Sequence, residues 1–171
     1  MATTYTLIQA VTVGSGGAAN IEFTSIPQTY TDLLYKISAR MSVNTGSVFL
    51  RFNGTTTDGK TLWMDGDGTN KTGNLDGSNQ YGPVHGVNAN NFTASTFGSA
   101  DIYISNYTSS KHKSSNTDGV TESNSATGVT MACGGSRWAN TAAITSIQLV
   151  SAAGGNFVQY STAYLYGISN A

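Results

Sequence analysis

Between Leu33 and Phe52 the chain alternates. Leu33, Tyr35, Ile37, Ala39 and Met41 share one parity, and Lys36, Ser38, Arg40 and Ser42 take the other. That two-residue period belongs to a strand with one buried face. Asn44, Thr45 and Gly46 read as a turn, after which Val48, Leu50 and Phe52 resume the alternation. The stretch therefore predicts a hairpin of two long strands, apolar on one side. Such a hairpin needs a second layer to cover it.

The same pattern predicts strands over residues 5–13 and 19–23, the second ended by Ser25-Ile26-Pro27 because proline cannot donate to a central ladder. Asn53-Gly54 is a strong turn signal. Residues 55–91 then read as a long loop excursion, rich in Asp-Gly pairs, with short strands near 61–64 and 82–87 only. Beyond it, strands are expected at 92–97 and 101–107. Residues 109–115 read as a polar hairpin tip or edge strand. A polar strand is expected at 120–125. Another runs over 128–133, with Val129 and Met131 on one side, until Gly134-Gly135 breaks it. Residues 144–150 form the next. The closing stretch 157–168 puts Tyr160, Thr162, Tyr164, Tyr166 and Ile168 on one parity, and Ser161, Ala163, Leu165 and Gly167 on the other. Roughly eight to ten strands without an amphipathic helix predict an all-β fold. We read it as an antiparallel β-sandwich, jelly-roll-like, in a single domain over residues 1–171.

Composition sharpens this. Only 10% of the 171 residues are Asp, Glu, Lys or Arg, well below the usual quarter, and the formal net charge is -1. The polar surface must be built from Ser, Thr, Asn and Gly. Near-neutral charge argues against nucleic acid as a partner and favours association between protein surfaces. Cys133 is the only cysteine, so no internal disulfide can form. It reads as a small buried residue rather than a nucleophile. The N-terminal residues do not have a secretory leader's pattern, and no stretch approaches membrane-spanning length.

Candidate chemistry is sparse. Asp65-Gly66-Asp67-Gly68-Thr69-Asn70 invites a calcium reading, but a twelve-residue loop begun at Asp65 places Asn70 where glycine is required and Asp76 where a bidentate glutamate belongs. Turn formation is the simpler role for Asp65 and Asp67. His85 and His112 have no further ligand at zinc spacing, and no nucleophile elbow or phosphate loop is present. The chain is therefore read as having no enzymatic activity, metal or cofactor. Trp63, Tyr81, Trp138 and His85 suit a sugar-stacking surface, or the two tryptophans pack under loops or in a subunit interface. Lys111-His112-Lys113 is too short a basic run for nucleic acid and suits an edge or an interface. Four Asn-x-Thr acceptor patterns, at Asn53, Asn70, Asn91 and Asn106, are expected by chance in so Asn- and Thr-rich a chain.

Several phrases together carry a resemblance. They are Ile21-Glu-Phe-Thr-Ser-Ile-Pro-Gln-Thr-Tyr-Thr-Asp-Leu33, Arg51-Phe-Asn-Gly54, Ile102-Tyr-Ile-Ser-Asn-Tyr107, Ala143-Ile-Thr-Ser-Ile147, Gly155-Asn-Phe157 and Ser161-Thr-Ala-Tyr-Leu-Tyr-Gly-Ile168. The chain resembles small virion structural proteins of tailed phages of marine bacteria and cyanobacteria, over most of its length except residues 55–91. That resemblance implies a virion location, with assembly in the host cytoplasm on a capsid or a tail. The expectation is a capsid decoration (cement) protein, a homotrimer seated over junctions of the major capsid protein. The alternative is a tail or head fibre or adaptor module that binds a host glycan. For the decoration role Trp63, Tyr81, Arg137 and Trp138 are the expected interface anchors, with Lys111 and Lys113 beside them.

Overall fold

A computed structural model describes residues 4–76, 81–124 and 130–169, with the side chains of 76 and 81–83 also outside the description. Among the described residues the chain is built from strands only: β1 (Tyr5–Thr12), β2 (Asn20–Phe23), β3 (Asp32–Ala39), β4 (Val48–Phe52), β5 (Gly59–Gly66), β6 (Lys71–Asp76), β7 (Tyr81–Val84), β8 (Gly98–Ser105), β9 (Lys113–Val120), β10 (Met131–Trp138), β11 (Ile147–Ser151) and β12 (Thr162–Ile168). They form two antiparallel sheets of unequal size. The larger has eight strands, in the order β1-β12-β3-β8-β9-β10-β5-β6, and the smaller has four, in the order β2-β11-β4-β7. The architecture is an all-β, two-sheet sandwich of jelly-roll-like form.

The alternation places the core. Leu33, Tyr35, Ile37 and Ala39 of β3, Ala100, Ile102 and Ile104 of β8, and Ala163 and Leu165 of β12 are buried on the inner face of the large sheet. Ile21 and Phe23 of β2, Val48, Leu50 and Phe52 of β4, and Ile147 and Leu149 of β11 are buried against them. Two ring pairs cross between the sheets. Phe23 meets Tyr35 edge-on at 5.3 Å, and Phe52 tilts against Trp138 at 5.6 Å. Each such pair adds roughly 0.5–1.5 kcal/mol beyond the area it buries.

The predicted hairpin is overturned. β3 pairs with β12 and β8 in the large sheet, whereas β4 pairs with β11 and β7 in the small one. Residues 40–47 carry the chain from one layer to the other. Alternation specifies which side chains look inward, and two strands facing each other across a core alternate just as a hairpin does.

Residues 55–91 supply β5, β6 and β7, two strands to the large sheet and one to the small. Of their Asp-Gly pairs, Asp67-Gly68 lies in the turn between β5 and β6, whereas Asp65-Gly66 is paired on both sides inside β5. Gly134 and Gly135 do not break β10, which runs through both, paired to β5 and β9. A Cβ on Gly134 would stand 2.8 Å from the Leu62 carbonyl oxygen, so glycine lets β5 approach. Of the strands expected at 92–97 and 120–125, residues 92–97 and 121–124 are irregular, and β9 instead occupies the polar run that ends at Val120. Residues 125–129, including the start of the strand expected at 128–133, lie outside the described residues.

Beyond β7 the small sheet stops and bare backbone replaces it. Gly86, at φ +101°, lies so close that a Cβ would meet the Ser99 carbonyl oxygen at 2.4 Å and the Gly119 Cα at 2.7 Å. The chain then turns under Arg40. That guanidinium, 8% exposed, donates to the carbonyls of Thr93, Thr96, Asn90 and Phe92 at 2.7, 3.2, 2.9 and 2.9 Å. Fully buried Asn88 bonds through its amide to Thr96 Oγ1 and to both backbone groups of Glu122. These contacts anchor residues 88–97 without regular structure.

Candidate interaction face

The small sheet covers only one side of the large sheet, and the other side bears an apolar surface. Of the exposed large apolar side chains among the described residues, Tyr5, Leu7, Leu62, Met64, Leu75, Val120, Met131 and Tyr164 lie on this outer face, and only Tyr160 does not. Their exposures run from 38% for Tyr164 to 70% for Leu75. Contiguous apolar side chains on one face of a protein are a surface of the kind on which partners, membranes or ligands bind.

Strand register orders the face in rungs. One runs Ala10, Tyr164, Lys36, Asp101, Asp118, Cys133, Met64, Gly73. The next runs Leu7, Tyr166, Leu34, Tyr103, Asn116, Gly135, Leu62, Leu75. On the other side of the first lie Thr162, Ser38, Ser99, Val120, Met131, Gly66 and Lys71. The face thus has an aromatic half on β1 and β12, a polar midline on β3, β8 and β9, and an aliphatic–thioether half where Val120 closes β9 and β10, β5 and β6 follow. A trough of about 1190 Å³ crosses the face where side chains are short, at Ser38 and Ser99 on the midline and Gly66 and Gly73 in the thioether half, and Lys36, Asp101 and Asp118 also line it.

The midline is locally organised. Lys36 forms an ion pair with Asp101, both about two-fifths exposed, so the pair contributes at most about 1 kcal/mol. Asp118 stands directly opposite Asp101 on the neighbouring strand. Lys36 offsets the like-charge contact that would otherwise weaken the β8–β9 ladder. Tyr103 donates its phenol proton to Asp32 Oδ2 at 2.6 Å, and Asp32 Oδ1 accepts the Asn106 N–H at 2.7 Å. The hydrogen bond to the carboxylate, with some burial, pushes the Tyr103 pKa up to about 12.

The residues singled out from sequence are scattered. Arg137 and Lys111 are exposed, Arg137 on the outer face one rung beyond Gly135. Trp138 is 1% exposed and packs in the core. Lys113 is also 1% exposed, and its ammonium donates to the Ser109 and Lys111 carbonyls at 2.7 and 2.6 Å and lies 5.9 Å from the Trp138 ring centroid. Burial lowers its pKa. Within the chain, neither Trp138 nor Lys113 presents surface to a partner. Trp63 is half-buried with its ring 5.5 Å from that of His85, between β5 and the chain leaving β7. Tyr81 pairs with Leu50, and its side chain lies outside the described residues.

Cys133 is exposed on the aliphatic half, which corrects the expectation of a buried thiol. Its strand parity faces away from the core, because Trp138 sets the inward parity of β10. Asp67 closes the β5–β6 turn: Oδ1 accepts the N–H groups of Thr69 and Asn70 at 2.8 and 2.6 Å, and Oδ2 accepts the Asn70 amide at 3.2 Å. Those bonds lower the Asp67 pKa. Asp65 acts instead on His85, partly opposing the burial that lowers the His85 pKa. Among the described residues no three His, Cys, Asp or Glu side chains gather where a metal ion could sit.

Sequence reasoning missed the outer face. Its signal is a strand with large apolar residues on both parities, as in Leu62-Trp63-Met64 and Tyr164-Leu165-Tyr166. One parity enters the core, and the other has no cover among the described residues. No family model, curated protein or solved structure matches this chain. The fold and the face together define a class, a β-sandwich with an uncovered apolar sheet.

Proposed function

We propose that this chain is a structural component of a phage particle, and that its role is capsid decoration. The observation carrying this is the apolar outer face of the large sheet, on a chain with few charges to keep it dispersed. A decoration protein acts mechanically. It adds buried area across seams between major capsid subunits, and symmetry repeats each modest contact many times. The buried Arg40 and Asn88 networks give such a protein rigid loops, and Arg137 and Lys111 offer exposed cations for a neighbouring subunit.

The trough favours one further reading, a fibre or adaptor module holding a host glycan. Tyr164 and Tyr166 line it together with Asp101 and Asp118, a ring-and-carboxylate pairing that suits sugars. The aliphatic and thioether groups opposite them offer a sugar little, which ranks this second. The test is co-sedimentation of purified protein with empty capsids of the cognate phage, beside binding to fixed host cells. Capsid binding with a raised capsid melting temperature supports decoration. Binding to cells alone, abolished by soluble glycan, replaces it with the fibre reading.

A further inference from the structure

The two apolar halves of the outer face differ in chemistry. Tyr164, Tyr166 and Tyr5 dominate one, and Met64, Met131 and Val120 the other. We infer that they are made for each other in neighbouring molecules: the aromatic half of one copy covers the aliphatic–thioether half of a second copy of this chain. The inference rests on reading this face as an interface, as above, and names its occupant; a decoration protein paired in this way meets the capsid through its remaining surface.

Three observations select a second copy. The first is chemical fit. Methionine sulfur packs favourably on aromatic rings, at about 0.3–1.5 kcal/mol per contact, and each half supplies what the other lacks. The second is charge. Along the trough Lys36 and Lys71 nearly balance Asp65, Asp101 and Asp118, leaving no strong field for a nucleic acid or an anionic bilayer to complement. The third is area. Eight side chains, roughly half exposed and on the order of 200 Å² each, amount to about 800 Å² per copy, the share one partner contributes to a standard protein interface. The trough gives the incoming side chains room at Ser38, Ser99, Gly66 and Gly73, on either side of the Lys36, Asp101 and Asp118 charges that line its middle. A two-fold pair with its axis along the strands brings unlike halves together and buries both halves of each copy in one interface.

Cys133 makes the pairing measurable. It is exposed on the thioether half and is the only thiol in the chain. Tyr164 lies four strands away in the same sheet, about 19 Å at ordinary strand spacing, beyond the reach of a disulfide within one molecule. The experiment is mild oxidation of the Tyr164→Cys variant at micromolar concentration, followed by non-reducing electrophoresis and sedimentation. A covalent link between chains is expected, lost in Tyr164→Cys with Cys133→Ser and absent from the wild type. Separately, Val120→Asp should weaken association at least roughly tenfold with the circular dichroism spectrum unchanged, since Val120 is exposed. The inference is overturned by a monomeric wild type, by a wild-type link from Cys133 to Cys133, which would set like halves together, or by an oligomer that Val120→Asp leaves intact. No capsid enters these measurements, so failure of the pairing and failure of the virion role are separate results.

Discussion

At Gly119 one hydrogen atom separates a folded sandwich from a clash. A Cβ there would stand 2.0 Å from the His85 carbonyl oxygen and 2.7 Å from its carbon, both backbone atoms that cannot rotate away. Gly119→Ala is expected to cost about 3 kcal/mol or more in urea denaturation. The same change at Gly73, where nothing lies within 4 Å, should cost no more than ordinary strand propensity. Equal losses at the two positions would refute the close-approach argument. Tyr103 offers a second test. A phenol whose folded pKa is raised from near 10 to about 12 contributes stability that is complete below pH 10 and disappears as pH climbs through 12. Stability should therefore fall between pH 10 and 12, and Asp32→Asn should bring the Tyr103 titration, followed by ultraviolet absorbance, back toward 10. An unchanged titration would rule out Asp32 as the cause. Neither contact is readable from sequence, since Gly119 meets a segment more than thirty positions earlier, and Asp32 reaches Tyr103 across a strand pair.

Among elements, the 88–97 segment depends on one side chain. Arg40 holds four carbonyls in one plane of donors, a geometry that lysine's single ammonium cannot reproduce. Arg40→Lys should destabilise the fold by roughly 2–4 kcal/mol. Amide exchange should rise first in residues 88–97. Exchange rising evenly over the whole protein would show the loop to be held by something else. Alternation made Arg40 look like an outward residue of a hairpin, and its real position follows from the chain leaving the large sheet there. β12 teaches a related point. Its two parities were legible as aromatic and small, but which faces the core was not. The small parity packs inward because Tyr35 and Phe23 already fill the interior, and Tyr164 and Tyr166 are left outside.

For the whole molecule, unequal sheets leave one face of the larger without cover among the described residues, and stability should then depend on concentration. Both sheets share one core, so tryptophan fluorescence and far-ultraviolet circular dichroism should report the same unfolding transition. Its midpoint should rise with protein concentration if copies cover each other's outer faces. Two separate transitions would mean the sheets fold independently, and a concentration-independent midpoint would count against self-association.

The strand class, most of the inward side chains and the sharp Asn53-Gly54 turn are local properties. Alternation, β-branched and aromatic content and left-handed turn residues act within a few positions, and Asn53 and Gly54 do sit at φ 51° and 69°. Only the tertiary structure decided that β3 and β4 face each other, that β10 runs through two glycines, and that Trp138 and Lys113 are buried while Cys133 and Met131 are not. Those outcomes depend on which distant strand lies alongside and on where the smaller sheet ends, and no periodicity along a single strand encodes either.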